Sequence, residues 1–177
     1  MKATNLDSKI VAQYIKKTSR DPDVNQNAFS QKASHNYCYQ ATDIRLIQNE
    51  IMQPYLGSFI IHEPIGDGRA IAQTLTELIS SLNDNKPTLC IYNLGNWHWV
   101  ALAALKIHDE IYILYKDSKG ARNEGLERQT QTISSTANKT AKFIVNPENE
   151  QTSGVECGIF ALRNMEIMAR YIVAPFV

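Results

Sequence analysis

Three runs between Pro87 and Asp117, "TLCIYN", "HWVALAAL" and "EIYILYKD", are rich in branched and aromatic residues and are separated only by "LGNW" and "KIHD". Such residues favour strands, and the last two runs are close enough in sequence to form an antiparallel hairpin. A sheet in the middle of the chain is the feature around which every other segment must be arranged. The closing stretch, from about residue 157, has a different period. Ile159, Phe160, Leu162, Met165, Ile167, Met168 and Ile172 cover a wide arc of a helix, which predicts a helix central to the core.

Ahead of the sheet, Leu6, Ile10, Val11, Tyr14 and Ile15 predict an amphipathic helix over residues 5–18, followed by a polar loop at 19–36. "YCYQATDIRLIQNEIM" predicts a second helix with Thr42 as its N-cap and Ile44, Ile47 and Ile51 on the buried face. A short strand at "SFIIHE" and a helix lined by Ile71, Leu75, Leu78 and Leu82 complete this half. Residues 118–140 are polar, with helical character only near their end. The strand "AKFIVN" and the loop "PENEQTSGVE" then lead into the closing helix. The chain carries no internal repeat. The expectation is a single α+β domain over residues 1–177, with a helix and loop at 1–36 and a core at 37–177.

Eighteen Lys and Arg balance eighteen Asp and Glu. The basic excess typical of a nucleic-acid binder is missing, so no nucleic-acid partner is expected. No apolar run approaches transmembrane length and the first residues contain no h-region, so neither a membrane span nor a cleaved signal is expected. Cys38, Cys90 and Cys157 are odd in number and widely spaced, which is no disulfide framework and predicts a reducing, cytoplasmic setting. The sequon Asn138-Lys139-Thr140 is then without consequence. His35-x-x-Cys38 has a ligand-like step but no second pair to complete a metal site. No metal and no cofactor are expected.

One thiol stands apart. In "QTSGVECGIF", Cys157 follows a glycine-containing turn and opens the apolar helix. Unreactive cysteines are commonly small buried hydrophobes. A helix N-terminus and an adjacent imidazole, however, both lower a thiol pKa and make a nucleophile. Gly154 would permit a tight turn into the helix, and Gly158 would leave the backbone beside the sulfur unobstructed. Of the four histidines, His35 lies in a polar loop, His62 on a short strand and His108 beside Asp109 at a hairpin turn. His98 opens a strand, where a fixed backbone can aim it. Asp117 closes the next strand, so the hairpin would bring it to the same edge as His98. Gln151 and the backbone N–H of Cys157 could donate to an oxyanion.

In that order, His98-Trp99, Asp117-Ser118, then Gln151 six residues before Cys157-Gly158, the pattern resembles the clan CE cysteine proteases that process SUMO, NEDD8 and ubiquitin. The clan also takes in adenovirus protease and bacterial deubiquitinase effectors. The resemblance covers residues 88–173 well and residues 37–50 loosely. It implies a papain-like fold in circularly permuted order, with a mostly antiparallel central sheet flanked by helices and a core helix carrying the cysteine. Cys157 would be the nucleophile, His98 the general base, Asp117 its orienter and Gln151 the oxyanion donor. Trp99 would line the tunnel for a Gly-Gly tail, with Tyr39 or Tyr37 in place of the family's early tryptophan and Gly154 beside them. Trp97, on the opposite face of the strand, reads as core packing.

The implied partner is ubiquitin or a ubiquitin-like modifier, bound by a monomer, in the manner of a bacterial effector working in a host cytosol. The chain ends 20 residues after Cys157, a length that suits a catalytic fragment of a larger protein. Two rivals use the same letters. The YopJ-type effectors acetylate Ser, Thr or Lys with a similar Cys-His-acid site, but usually carry Glu where this chain has Asp117, and need more chain for their ligands. A silent binder of ubiquitin-like proteins would not need all four site residues intact.

Overall fold

The computed structural model describes residues 38–66, 71–80, 82, 86–95, 98–107, 110–136 and 140–173. The helix expected over residues 5–18, the loop at 19–36, His35, Tyr37, Trp97, His108, Asp109 and Asn138 lie outside the described residues. In chain order the elements are α1 (Ala41–Ile51), a 3-10 turn (Gln53–Tyr55), β1 (Ile60–Ile61), α2 (Ile71–Ser80), β2 (Thr88–Asn93) and β3 (Trp99–Ile107). They continue with β4 (Glu110–Lys116), α3 (Glu124–Thr136), β5 (Thr140–Asn146) and α4 (Cys157–Val173).

The five strands form one sheet in sequence order. β2–β3 and β3–β4 are antiparallel, as the sequence predicts for the hairpin. The outer pairs β1–β2 and β4–β5 are parallel, so the sheet is mixed and not mostly antiparallel. The reason is the length of the connections. A parallel neighbour needs a crossover of a dozen or more residues, and α2 and α3 are those crossovers.

Successive side chains along a strand point to opposite faces, and here both faces are covered. Leu89, Ile91, Trp99, Ala101, Ala103, Leu105, Tyr112 and Leu114 face α1 and α4. Cys90, Tyr92, Val100, Leu102, Ala104, Ile111, Ile113 and Tyr115 face α2 and α3 through Leu75, Leu78 and Leu126. Double coverage explains why "WVALAAL" is apolar at every position. It also explains the alanines on β3: Ala101 and Ala103 let α4, with Ala161 and Ala169, lie close against the strand.

Three expectations need correcting. α1 starts two residues earlier than a Thr42 cap would place it; Gln40 is the N-cap, and its N–H donates to the Asp43 carboxylate at 3.2 Å. The polar stretch after Asp117 is not merely helical near its end. Residues 124–136 form a full helix, because Leu126, Thr130 and Ser134 recur on its buried side and only that narrow stripe needs to be compatible with the core. Finally, α2 stops at Ser80, so Leu82 packs from beyond the helix end. The buried positions of α1, Ile44, Ile47 and Ile51, are the expected ones.

The end of β4 is fastened to the segment before α4 by a buried charged cluster. Lys116 Nζ donates to the Glu148 carbonyl at 2.6 Å and lies 3.6 Å from the Glu150 carboxylate. Asn164 of α4 donates to the same carboxylate at 3.1 Å. Burial pushes the Lys116 ammonium below its ordinary pKa, and the carboxylate opposes that. Removing one partner of a buried ion pair leaves the other uncompensated, at a cost of about 3–5 kcal/mol. Lys116→Ala should lower stability by that order in urea unfolding. An unchanged midpoint would show that the cluster contributes no net stability.

Candidate active site

His98 immediately precedes β3 and Asp117 immediately follows β4. The register pairs Ala101 with Lys116, which brings these two flanking residues to the same end of the hairpin. Their side chains meet there: His98 Nε2 lies 2.9 Å from Asp117 Oδ1. Asp117 Oδ1 also accepts the Lys119 N–H at 2.8 Å, and Oδ2 lies 3.5 Å from the Tyr115 hydroxyl. Burial raises the Asp117 pKa, but the hydrogen bonds from His98 and the Lys119 amide outweigh it and hold the carboxyl below its ordinary range. An ionised carboxylate only accepts, so Nε2 is the donor.

That leaves Nδ1 of His98 for the Cys157 thiol, with which the ring is hydrogen-bonded. Hydrogen bonds to Asp117 and then to Cys157 push His98 up to about 9, against its burial. Burial pushes the Cys157 thiol up. His98, the Trp99 and Gly158 amides and the imidazolium charge overcome it, and the net shift is downward. A raised imidazole facing a lowered thiol favours the proton on the ring and the charge on sulfur, the activated form of a cysteine nucleophile. Cys157 is the first residue of α4, so the helix dipole favours the same charge. The three cysteines form no disulfide; Cys90 is buried in β2 and Cys38 is half-buried.

Gln151 is tied to the residue after Asp117. Ser118 Oγ donates to Gln151 Oε1 at 2.6 Å, and the Gln151 Nε2 donates to the Ser153 carbonyl. The Ser118 carbonyl accepts from the amides of Glu150 (2.7 Å) and Gln151 (3.0 Å). Glu156, one residue before the thiol, closes the loop from its other end. Its Oε2 accepts from the Ser153 amide at 3.0 Å and from the amide and hydroxyl of Thr152 at 3.2 Å each. The contacts thus run in a closed ring: Cys157, His98, Asp117, Ser118, Gln151, Ser153, Glu156 and back to Cys157.

Glu156 does not stand out in the sequence reading, and Ser118 enters it only as the residue that follows Asp117, with no role of its own. For Glu156 a signal exists, since Ser153-x-x-Glu156 is a capping-box pattern in which the glutamate reaches back to the serine amide.

The glycines differ from expectation. The space beside Gly158 is not open: a Cβ there would lie 2.7 Å from the Tyr39 Cβ and 3.1 Å from Ile44 Cδ1. Gly158 is therefore small so that Tyr39 can pack against the head of α4. A Cβ on Gly154 would meet nothing within 4 Å and its φ is not left-handed, so the turn itself does not demand glycine there. Tyr39 and Trp99 join the apolar cluster that contains Cys157, and the Trp99 indole N–H donates to the Tyr39 carbonyl at 2.9 Å. Trp99 is only 2% exposed.

No protein-family model matches the chain, and no curated protein matches it by sequence. Solved structures do match. The SUMO protease Ulp1 aligns over 93% of this chain and 84% of its own, with a TM-score of 0.54 and 13% identity. Xanthomonas campestris effector protein XopD, solved bound to ubiquitin, aligns over 78% and 77%, also at 0.54, with 14% identity. The chain shares the α+β fold of these two proteins. The ASFV pS273R protease has the same fold at a TM-score of 0.52 and 17% identity, over 80% of this chain. The match spans only 62% of that viral protease.

The charge distribution makes a direct prediction. Because the thiol pKa is lowered, alkylation of Cys157 by iodoacetamide should reach half its maximum rate at a pH below the ~8.5 of an ordinary thiol. In His98→Ala the hydrogen bond and positive charge are lost while burial remains, so the midpoint should move up. Peptide mapping of the label across pH 5–10 checks this; identical profiles would remove His98 as the activating partner. The glycines give a second test. Gly158→Ala should lose about 1–3 kcal/mol from overpacking against Tyr39, whereas Gly154→Ala should stay within about 0.5 kcal/mol of the parent. Equal losses on urea unfolding would contradict the packing described here.

Proposed function

We propose that the chain is a thiol protease that cleaves after the C-terminal Gly-Gly of ubiquitin or a ubiquitin-like modifier. The observation that carries this reading is His98, bonded at once to Asp117 and to Cys157 at the head of α4. That arrangement sits in a fold also found in a SUMO protease and in a protein solved with ubiquitin.

In this reading the Cys157 thiolate attacks the carbonyl carbon of the terminal glycine. The carbonyl electrons move to oxygen, which the Cys157 amide and Gln151 stabilise. Collapse of the tetrahedral intermediate breaks the C–N bond, and the departing amine takes the proton held by His98. The thioester that remains is hydrolysed by water, which gives a proton to His98 as it attacks. Asp117 keeps the ring in the orientation that serves both transfers. Trp99, Tyr39 and Gly154 are the proposed tail-binding residues, and the absence of side chains on a Gly-Gly tail suits a channel walled by aromatic rings. No cofactor takes part. The proposed setting is a reducing cytosol, entered as a secreted effector; among the described residues no helix is long and apolar enough to cross a membrane.

The test is a panel of ubiquitin, NEDD8, SUMO and ISG-type probes bearing a C-terminal electrophile, with matching fluorogenic amides. At least one probe should add to the protein, and Cys157→Ala should abolish the adduct. His98→Ala should abolish turnover. Gln151→Ala should slow it by about a hundredfold, the usual loss for one oxyanion donor. Silence toward every modifier, together with acetyl mass gained from acetyl-CoA in the presence of inositol hexakisphosphate, would replace this reading with a YopJ-type acetyltransferase.

A further inference from the structure

An oxyanion donor is useful only if its N–H, and not its carbonyl, faces the reaction. The two ends of a glutamine amide are nearly the same size, so a half-turn about the last side-chain bond exchanges donor for acceptor. We propose that Ser118 is a positioning residue that locks the Gln151 amide with its NH2 end toward the site. The inference rests on the oxyanion role given to Gln151 above.

The contacts specify the orientation from both ends. The Ser153 carbonyl can only accept, so the end facing it must be Nε2. The Ser118 hydroxyl, 2.6 Å from Oε1, donates to the other end. An NH2 group has two hydrogens, and Ser153 takes one, which leaves one to donate to a developing oxyanion. Ser118 is 2% exposed and Gln151 8%, so water cannot easily replace a lost hydroxyl. The backbone of Ser118 also holds Glu150 and Gln151 through its carbonyl, and that hold survives side-chain truncation. Adjacent residues at the end of β4 therefore divide the work: Asp117 orients the base, and Ser118 orients the donor.

The experiment combines kinetics with a direct view of the amide. Ser118→Ala should lower kcat on the best modifier substrate about tenfold, with KM and the alkylation profile of Cys157 unchanged. Ser118→Thr, which keeps the hydroxyl, should retain most of kcat. The double variant Ser118→Ala/Gln151→Ala should be no slower than Gln151→Ala alone, because a residue acting through Gln151 has nothing left to position. Losses that simply add would overturn the inference. In 15N-labelled protein, the Gln151 side-chain NH2 pair, assigned by its disappearance in Gln151→Ala, should be shifted from the values of a solvated glutamine and should exchange slowly with water. In Ser118→Ala both signals should move toward solvated-glutamine values and exchange faster. Solvated-glutamine shifts with fast exchange in the unaltered protein would overturn the inference on their own. If no modifier is turned over, the proposed function fails, yet these amide signals still decide whether Ser118 holds Gln151.

Discussion

The register of β3 against β4 is the constraint on which the site depends. His98 and Asp117 belong to no strand; each is the first residue beyond one. Only the pairing of Ala101 with Lys116 brings them within 2.9 Å. A slip of one residue would carry every side chain of a strand to the other face. It would set Ala101 and Ala103 against α2 and α3, and the bulkier Leu102 against α4. Because both faces of the hairpin are packed, its register is fixed by the whole core and not by the turn alone. The histidine–carboxylate pair inherits that rigidity.

The second half of the site is built on the first. The segment before α4 lies against the end of β4 through the Ser118 carbonyl, the Lys119–Asn149 bridge and the Lys116–Glu150 ion pair. Gly120 makes this approach possible: its φ is +70°, and a Cβ would collide with the Pro147 carbonyl. Glu156 then ties the loop to the head of α4. The result is a loop whose polar groups are mostly satisfied by named partners. Tyr39 closes the structure from the N-terminal side by packing where Gly158 has no side chain.

Much of the fold was legible because its signals are local. Strand propensity marked β2, β3 and β5, and helical periodicity marked α1, α2 and α4. The misses share a cause. α3 looks polar because only a stripe of it is buried, and the parallel outer strands depend on where crossover helices dock, which no local window records. At the site, Cys157, His98 and Asp117 could be singled out by residue type and position at element ends. Ser118 stands beside Asp117 in that pattern, but no role for it was legible, since its hydroxyl meets an amide 33 residues away.

The sequence by itself determined the order and kind of the elements, and the chemistry available at their ends: a thiol heading a helix, an imidazole opening a strand, a carboxylate closing the next. Periodicity and propensity are properties of neighbouring residues, so they can be read directly. Only the tertiary structure decided which of these groups meet and in what ionic form. Distances between residues far apart in sequence follow from register and packing. The raised imidazole and lowered thiol follow in turn from those distances and from burial. The small size of Gly158 likewise gains its meaning only once Tyr39, more than a hundred residues earlier, is found packed against it.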